Sequence, residues 1–267
     1  MTMLTLRNVS SSRGGRRVLD GVGLSAARSE VLGVIGPNGA GKSTLLRLMA
    51  GLTRPGRGDV RLEDRALGDW PRRDRARRVA YLPQHPDCHW PITVAELAGL
   101  GRLPHRRFWD RPTPRDVSAV EAALALADLE NLAGRRLDSL SGGEAARAHL
   151  ARALAGEPAL LLADEPVADL DPSHALTVMG HLRRFAGQGG AVVVVLHDLS
   201  LASRYCDRLV LLNAGRITAT GVPDAVLTKA RLAEVYGISA VHGQFEDETY
   251  VVPWKSGLPD DGGGAAP

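Results

Sequence analysis

The chain has 267 residues, of which 44% are hydrophobic, 24% charged and 4% aromatic, and its formal net charge is +3. That balance describes a globular protein long enough to bury a real core, in one large domain or two small ones. No stretch reaches the roughly 18 to 20 apolar residues that cross a bilayer. Met1 to Ser10 lacks the basic-then-apolar order of a secretory leader, and two cysteines, Cys88 and Cys206, do not make a disulfide framework. A cytosolic protein is expected.

Leu4 to Val9 reads as a short strand, and Glu30 to Ile35 as an apolar run of the kind buried inside a sheet. Thr44 to Ala50 has helical spacing, and Val60 to Leu62 and Arg78 to Leu82 are further strands. The basic run Arg72, Arg73, Arg75, Arg77 and Arg78 carries no aromatic platform or recognition module, so a solvated surface is preferred to a nucleic-acid interface. From about His89 to Gly156 the strand pattern disappears, and Val94 to Leu100, Asp116 to Ala127 and Gly143 to Leu154 read as helices. Strands resume at Ala159 to Ala163 and Ala191 to Leu196, with helices Ser173 to Phe185 and Leu199 to Arg204. Arg208 to Leu212 then turns through Asn213-Ala214-Gly215 into Arg216 to Thr220, a hairpin-like pair. This alternation predicts an α/β layered fold with a mostly parallel sheet and a helical insertion. The Gly/Ala/Pro-rich tail Pro259 to Pro267 is expected to be disordered.

The strand ending at Ile35 runs into Gly36-Pro37-Asn38-Gly39-Ala40-Gly41-Lys42-Ser43-Thr44 and then a helix, which fits a phosphate-binding loop in its required strand–loop–helix setting. Glycines let backbone N–H groups wrap phosphates, and the helix start adds unpaired N–H groups and a favourable dipole end. Lys42 is expected on the β- and γ-phosphates of ATP, and Ser43 on Mg²⁺. Leu160 to Ala163 closes on Asp164-Glu165, about 120 residues after the loop. Asp164 is expected to hold Mg²⁺ through water, and Glu165 to polarise the attacking water. His85, Cys88 and His89 are close enough to suggest a metal site, but their Pro-rich setting favours a solvated loop.

Leu140-Ser141-Gly142-Gly143-Glu144 reads physically as a second anion nest at a helix start. Together with the two motifs above, it closely resembles the ATP-binding cassette family, over roughly residues 4 to 235. The resemblance implies a P-loop NTPase (RecA-like) core at 1–88 and 157–235, with an N-terminal antiparallel β subdomain. It further implies a helical signature subdomain inserted at 89–156 and an extension at 236–267. Gln84 looks like the family's glutamine loop, which touches Mg²⁺ and relays nucleotide state to a membrane partner. His197 resembles the histidine on the γ-phosphate, and Asp171, in Ala168-Asp169-Leu170-Asp171, the acid that crosses the dimer interface. Ser141, Gly142, Gly143, Glu144 and Asp171 would then act on ATP bound by a second copy, in a head-to-tail homodimer.

Two positions depart from the family pattern. Arg13 stands where an aromatic usually stacks on adenine; its planar guanidinium can cover the base, lie in solvent, or pair with the α-phosphate and leave the base loosely held. Ala146 replaces a common glutamine, a change expected to touch only a helix surface. Tyr81-Leu82-Pro83-Gln84, Gly101-Arg102-Leu103-Pro104-His105 and Arg204-Tyr205-Cys206-Asp207-Arg208 resemble importers of iron chelates, haem or cobalamin. The implied partners are polytopic permease subunits at the cytoplasmic face of the membrane, with a substrate-binding protein in the full complex. A soluble cassette acting on ribosomes would normally carry two phosphate loops, and one of DNA repair a long coiled-coil or zinc-bearing insertion. A binding-only module fits poorly with intact Lys42, Asp164, Glu165 and His197.

Overall fold

The computed structural model describes residues 1–84, 91–107 and 109–257. His85, Cys88, His89 and the tail Pro259 to Pro267 lie outside the described residues. The chain opens with two long strands, β1 (Thr2–Arg13) and β2 (Arg16–Ala27), paired antiparallel through a Gly14-Gly15 turn. β3 (Val31–Ile35) leads to α1 (Lys42–Met49), followed by β4 (Arg57–Leu62) and the two-residue β5 (Arg65–Ala66). α2 (Arg72–Arg78) precedes β6 (Val79–Leu82), so the basic run is a helix, and Arg78 belongs to it and not to the strand. Three helices follow: α3 (Val94–Leu100), α4 (Pro114–Leu126) and α5 (Gly142–Ala155). Each begins with a capping box, Thr93 with Glu96, Thr113 with Asp116 and Ser141 with Glu144, which satisfies N–H groups that have no helical acceptor. The chain continues through β7 (Leu160–Asp164), α6 (Pro172–Gly187), β8 (Ala191–Val195), α7 (Leu199–Tyr205), β9 (Arg208–Asn213) and β10 (Arg216–Gly221). It closes with α8 (Pro223–Val226), α9 (Lys229–Tyr236) and a hairpin, β11 (Ile238–Phe245) and β12 (Glu248–Ser256).

The central sheet has the order β10-β9-β3-β8-β7-β6, parallel except for β10. Its inner strands β3, β7 and β8 are buried along their whole length because both faces are covered. Leu161, Ala163, Val192 and Val194 join one core cluster, while Leu160, Leu162, Val193 and Val195 join the other. The N-terminal sheet, β2-β1-β4-β5, covers the second cluster with Leu4, Leu6 and Val60. A third cluster, including Val94, Leu97, Leu124 and Ala151, holds α3 to α5 together.

Two of the stretches that resemble metal-chelate importers hold elements together. Arg102, 2% exposed, bonds Asp116 (2.9 Å), Glu157 (2.7 Å) and the carbonyl of Ala155 (2.9 Å), tying α3 to α4 and to the entry of β7. Asp207 accepts the N–H of Val31 (2.8 Å) and a bond from Arg183 (2.6 Å), fixing the start of β3 against α6. The C-terminal hairpin lies along α7. Ser200 donates to the carbonyl of Val251 (2.9 Å), Ser203 bonds Thr249 (2.8 Å) and Arg204 pairs with Glu248 (2.5 Å).

Candidate active site

The parallel strands β3, β7 and β8 all end at one edge of the sheet, where ligands of open α/β sheets bind. Gly36 leaves β3 with φ 150°, and a Cβ there would sit 2.0 Å from the carbonyl oxygen of Leu212. Only a glycine passes so close to β9. The first helical bond of α1 runs from Leu45 to Gly41 (2.9 Å), so the amides of Lys42, Ser43 and Thr44 precede it. Lys42 is buried, and its ammonium donates to the carbonyls of Gly36 (2.8 Å) and Pro37 (3.0 Å), inside the curl of the loop. Burial lowers its pKa, against the raising effect of the Glu165 and Asp164 charges.

Asp164, 2% exposed, accepts from the Ser43 hydroxyl (3.1 Å) with one oxygen and from the Tyr81 hydroxyl (3.0 Å) with the other. Burial raises its pKa and the bonds from Tyr81 and Ser43 oppose that; the neighbouring Glu165 charge raises it, while Arg47 lowers it. A buried carboxylate beside a hydroxyl is a hard oxygen pair, costly to keep ionised without a cation and suited to Mg²⁺. Glu165 follows with φ 52°, an uncommon conformation for a non-glycine residue that is found at functional sites. It turns the side chain off the strand line, where His197 Nε2 meets one carboxylate oxygen at 2.6 Å and the Gln84 amide donates to the other. His197 leaves β8 just before Asp198, which caps α7 by accepting from the Leu201 N–H (2.9 Å).

The structure thus brings Lys42, Ser43, Asp164, Glu165, His197 and Gln84 together. Ser141 to Glu144 form a separate group, with no hydrogen bond or ion pair to the phosphate-binding loop among the described residues. Ser141 accepts the Glu144 N–H (3.3 Å), and its hydroxyl bonds the Glu144 carboxylate, helping to hold that group's pKa down after the Ser141 backbone N–H. Gly143 packs on α6: a Cβ there would lie 2.3 Å from the His174 ring, whereas one at Gly142 would meet nothing. Asp171 starts α6 without a side-chain cap, and its carboxylate is exposed. Ala146 is more than surface. With Ala145, Gln84, Leu170 and His149 it lines a cavity of about 300 Å³. His149 is held neutral, burial and then Arg152 pushing its pKa down to about 4. Arg13 ends β1 at the exposed hairpin turn and makes no side-chain bond among the described residues.

Sequence reasoning missed the role of Tyr81, the only polar side chain in β6, whose hydroxyl reaches Asp164 from the neighbouring strand. It also missed Tyr236, at the end of α9, whose half-buried phenol lies against the backbone N–H of Gly36.

The profile of the ABC transporter family matches residues 19–168. The chain belongs to the ABC transporter family. It is accordingly an ATP-binding, ATP-hydrolysing subunit of such a transporter. This ABC ATPase is 48% identical over 244 residues to the hemin import ATP-binding protein HmuV of Pseudomonas aeruginosa, covering 90% of this chain and 94% of that one. A metal-chelate type ABC transporter in an inward-facing conformation superposes with a TM-score of 0.84 at 26% identity, over 96% of this chain and 98% of that chain. A dimeric post-hydrolysis ATP-binding cassette bound to ADP and Pi gives 0.71 at 27% identity, over 83% and 99%. No helix among the described residues is long and apolar enough to cross a membrane.

Proposed function

We propose that this ABC ATPase powers the import of hemin, or a closely similar metal chelate, at the cytoplasmic face of a membrane through polytopic permease subunits. A substrate-binding protein delivers the cargo in the full complex. The observation that carries the chemistry is the convergence of Glu165, His197 and Gln84 beside the phosphate-binding loop. The cargo rests on the 48% identity to a hemin import subunit.

Lys42, already inside the loop, turns its ammonium to the β- and γ-phosphates of ATP, and the amides at the start of α1 hold their oxygens. Ser43, Asp164 and Gln84 would hold Mg²⁺, which would offset phosphate charge there. Glu165 orients the attacking water and accepts its proton, its carboxylate aimed by His197 and Gln84. His197 also reaches the γ-phosphate. Ser141, Gly142 and Gly143 contribute a hydroxyl and two amides to ATP on a second copy, with Glu144 closing the cap and Asp171 facing the partner, so both sites complete in a head-to-tail pair. Arg13 lies over the adenine. The test is reconstitution with the permease in vesicles: hemin-stimulated ATPase with hemin uptake supports the reading. Brisk ATPase with no hemin uptake, and uptake of another chelate instead, would replace the cargo.

A further inference from the structure

The pairing of β6 with β7 sets what Tyr81 can touch. Tyr81 stands level with Leu162, so Asp164, two residues further along β7, projects from the same face of the sheet within reach of a phenol. The ring packs against the core cluster that includes Leu45 and Leu162, which fixes its position. Its hydroxyl lies between Asp164 and Arg47 of α1. A guanidinium offers only donors, so the phenol hydrogen is left for Asp164.

The two carboxylate oxygens of Asp164 therefore differ. Oδ2 accepts the Tyr81 hydroxyl (3.0 Å) from a ring that packing holds in place. Oδ1 accepts the Ser43 hydroxyl (3.1 Å), whose hydrogen can rotate away and leave both oxygens to a cation. We infer that Tyr81 selects the cation: by occupying Oδ2 it leaves Asp164 one oxygen to offer, which suits Mg²⁺ and handicaps Ca²⁺. The inference rests on the magnesium reading of Ser43 and Asp164 above. Mg²⁺ keeps several of its waters and asks for one carboxylate oxygen, whereas Ca²⁺ gathers about six to eight oxygens and commonly closes both oxygens of a carboxylate on itself. Tyr81 acts through Asp164 and is a positioning residue.

The experiment measures binding of a fluorescent ATP analogue to the full chain while Mg²⁺, and separately Ca²⁺, is titrated in. Tyr81→Phe keeps the ring and removes the hydroxyl. Losing the partner that orients a metal ligand costs about 10–100-fold in metal affinity, so the Mg²⁺ midpoint should rise about tenfold or more. The Ca²⁺ midpoint should stay or fall, because the freed oxygen is open to it, and the preference for Mg²⁺ over Ca²⁺ should shrink about tenfold. A role in packing alone would move both midpoints by one factor; that outcome, or two unmoved midpoints, overturns the inference. Should the variant melt early, both proteins are titrated at a temperature where circular dichroism shows them folded. If binding by the wild type responds to neither ion, the magnesium reading itself fails and takes the inference with it; a wild type that responds to Mg²⁺ beside a variant of unchanged preference sinks the inference alone.

Discussion

Gly143→Ala should change sign with its neighbour. In α5 the added methyl would lie 2.3 Å from two atoms of the His174 ring and 2.9 Å from its Cβ, so rotating the ring does not clear it. Overpacking of this kind costs about 1–3 kcal/mol. Replacing glycine by alanine inside a helix returns up to about 1 kcal/mol, less in the first turn. Gly143→Ala should therefore destabilise by about 0.5–2.5 kcal/mol in the wild type. In a His174→Ala background the clash is gone and the same change should stabilise by about 0.5 kcal/mol or slightly more. Urea unfolding of the four proteins measures the coupling. Because the methyl points at α6, the amides of Gly142 and Gly143 stay free, and ATP hydrolysis lost in Gly143→Ala should return in the double variant. An equal effect of Gly143→Ala in both backgrounds would refute the packing argument.

Glu165→Gln keeps the size of the side chain but loses the base, so ATP stays bound while hydrolysis falls by roughly 10²-fold or more; Lys42→Ala should instead weaken nucleotide binding, as titration would show. Arg102→Met leaves Asp116 and the Ala155 carbonyl buried without their partner and should cost about 3–5 kcal/mol in urea unfolding. Burial alone would raise the Asp116 pKa, but the Thr113 bonds and Arg102 outweigh it and hold the carboxyl at about 2, below the ordinary 3.8. Its contribution is present above about pH 4 and is lost as pH falls toward 2, so the wild-type stability curve should drop across that window and the Arg102→Met curve less steeply. If a stacked aromatic holds the base better than Arg13 does, Arg13→Tyr should tighten ATP by about 1–3 kcal/mol or less, measured against GTP in the same titration.

The parallel core was legible because strands covered on both faces are written as unbroken apolar runs, as in Leu160 to Leu162 and Val192 to Val195. The phosphate-binding loop was legible because spacing and setting coincide. β2 was not, since Arg16, Arg17 and Asp20 break its alternation and it lies at the edge of its sheet, outside β1. α2 buries none of its residues, so it carries no apolar stripe to read. The hairpin β11–β12 was hidden by His242, Gly243 and Gln244, polar or small positions on a ribbon buried at only two residues, Ala240 and Val251. Gln84, Glu165 and His197 were each readable by family order. Their meeting on one carboxylate was not, because it depends on β6, β7 and β8 lying side by side.

The last ribbon of the chain has a bearing on inherited change. α7 begins one residue after Asp198 and two after His197, and three of its side chains are fastened to β12. A frameshift or early stop between Gly237 and Ser256 would spare every sequence motif of the ATPase yet unfasten the helix that aims His197. Lesions at this far end should therefore behave like active-site alleles, with slow turnover in a protein that still accumulates and still binds nucleotide.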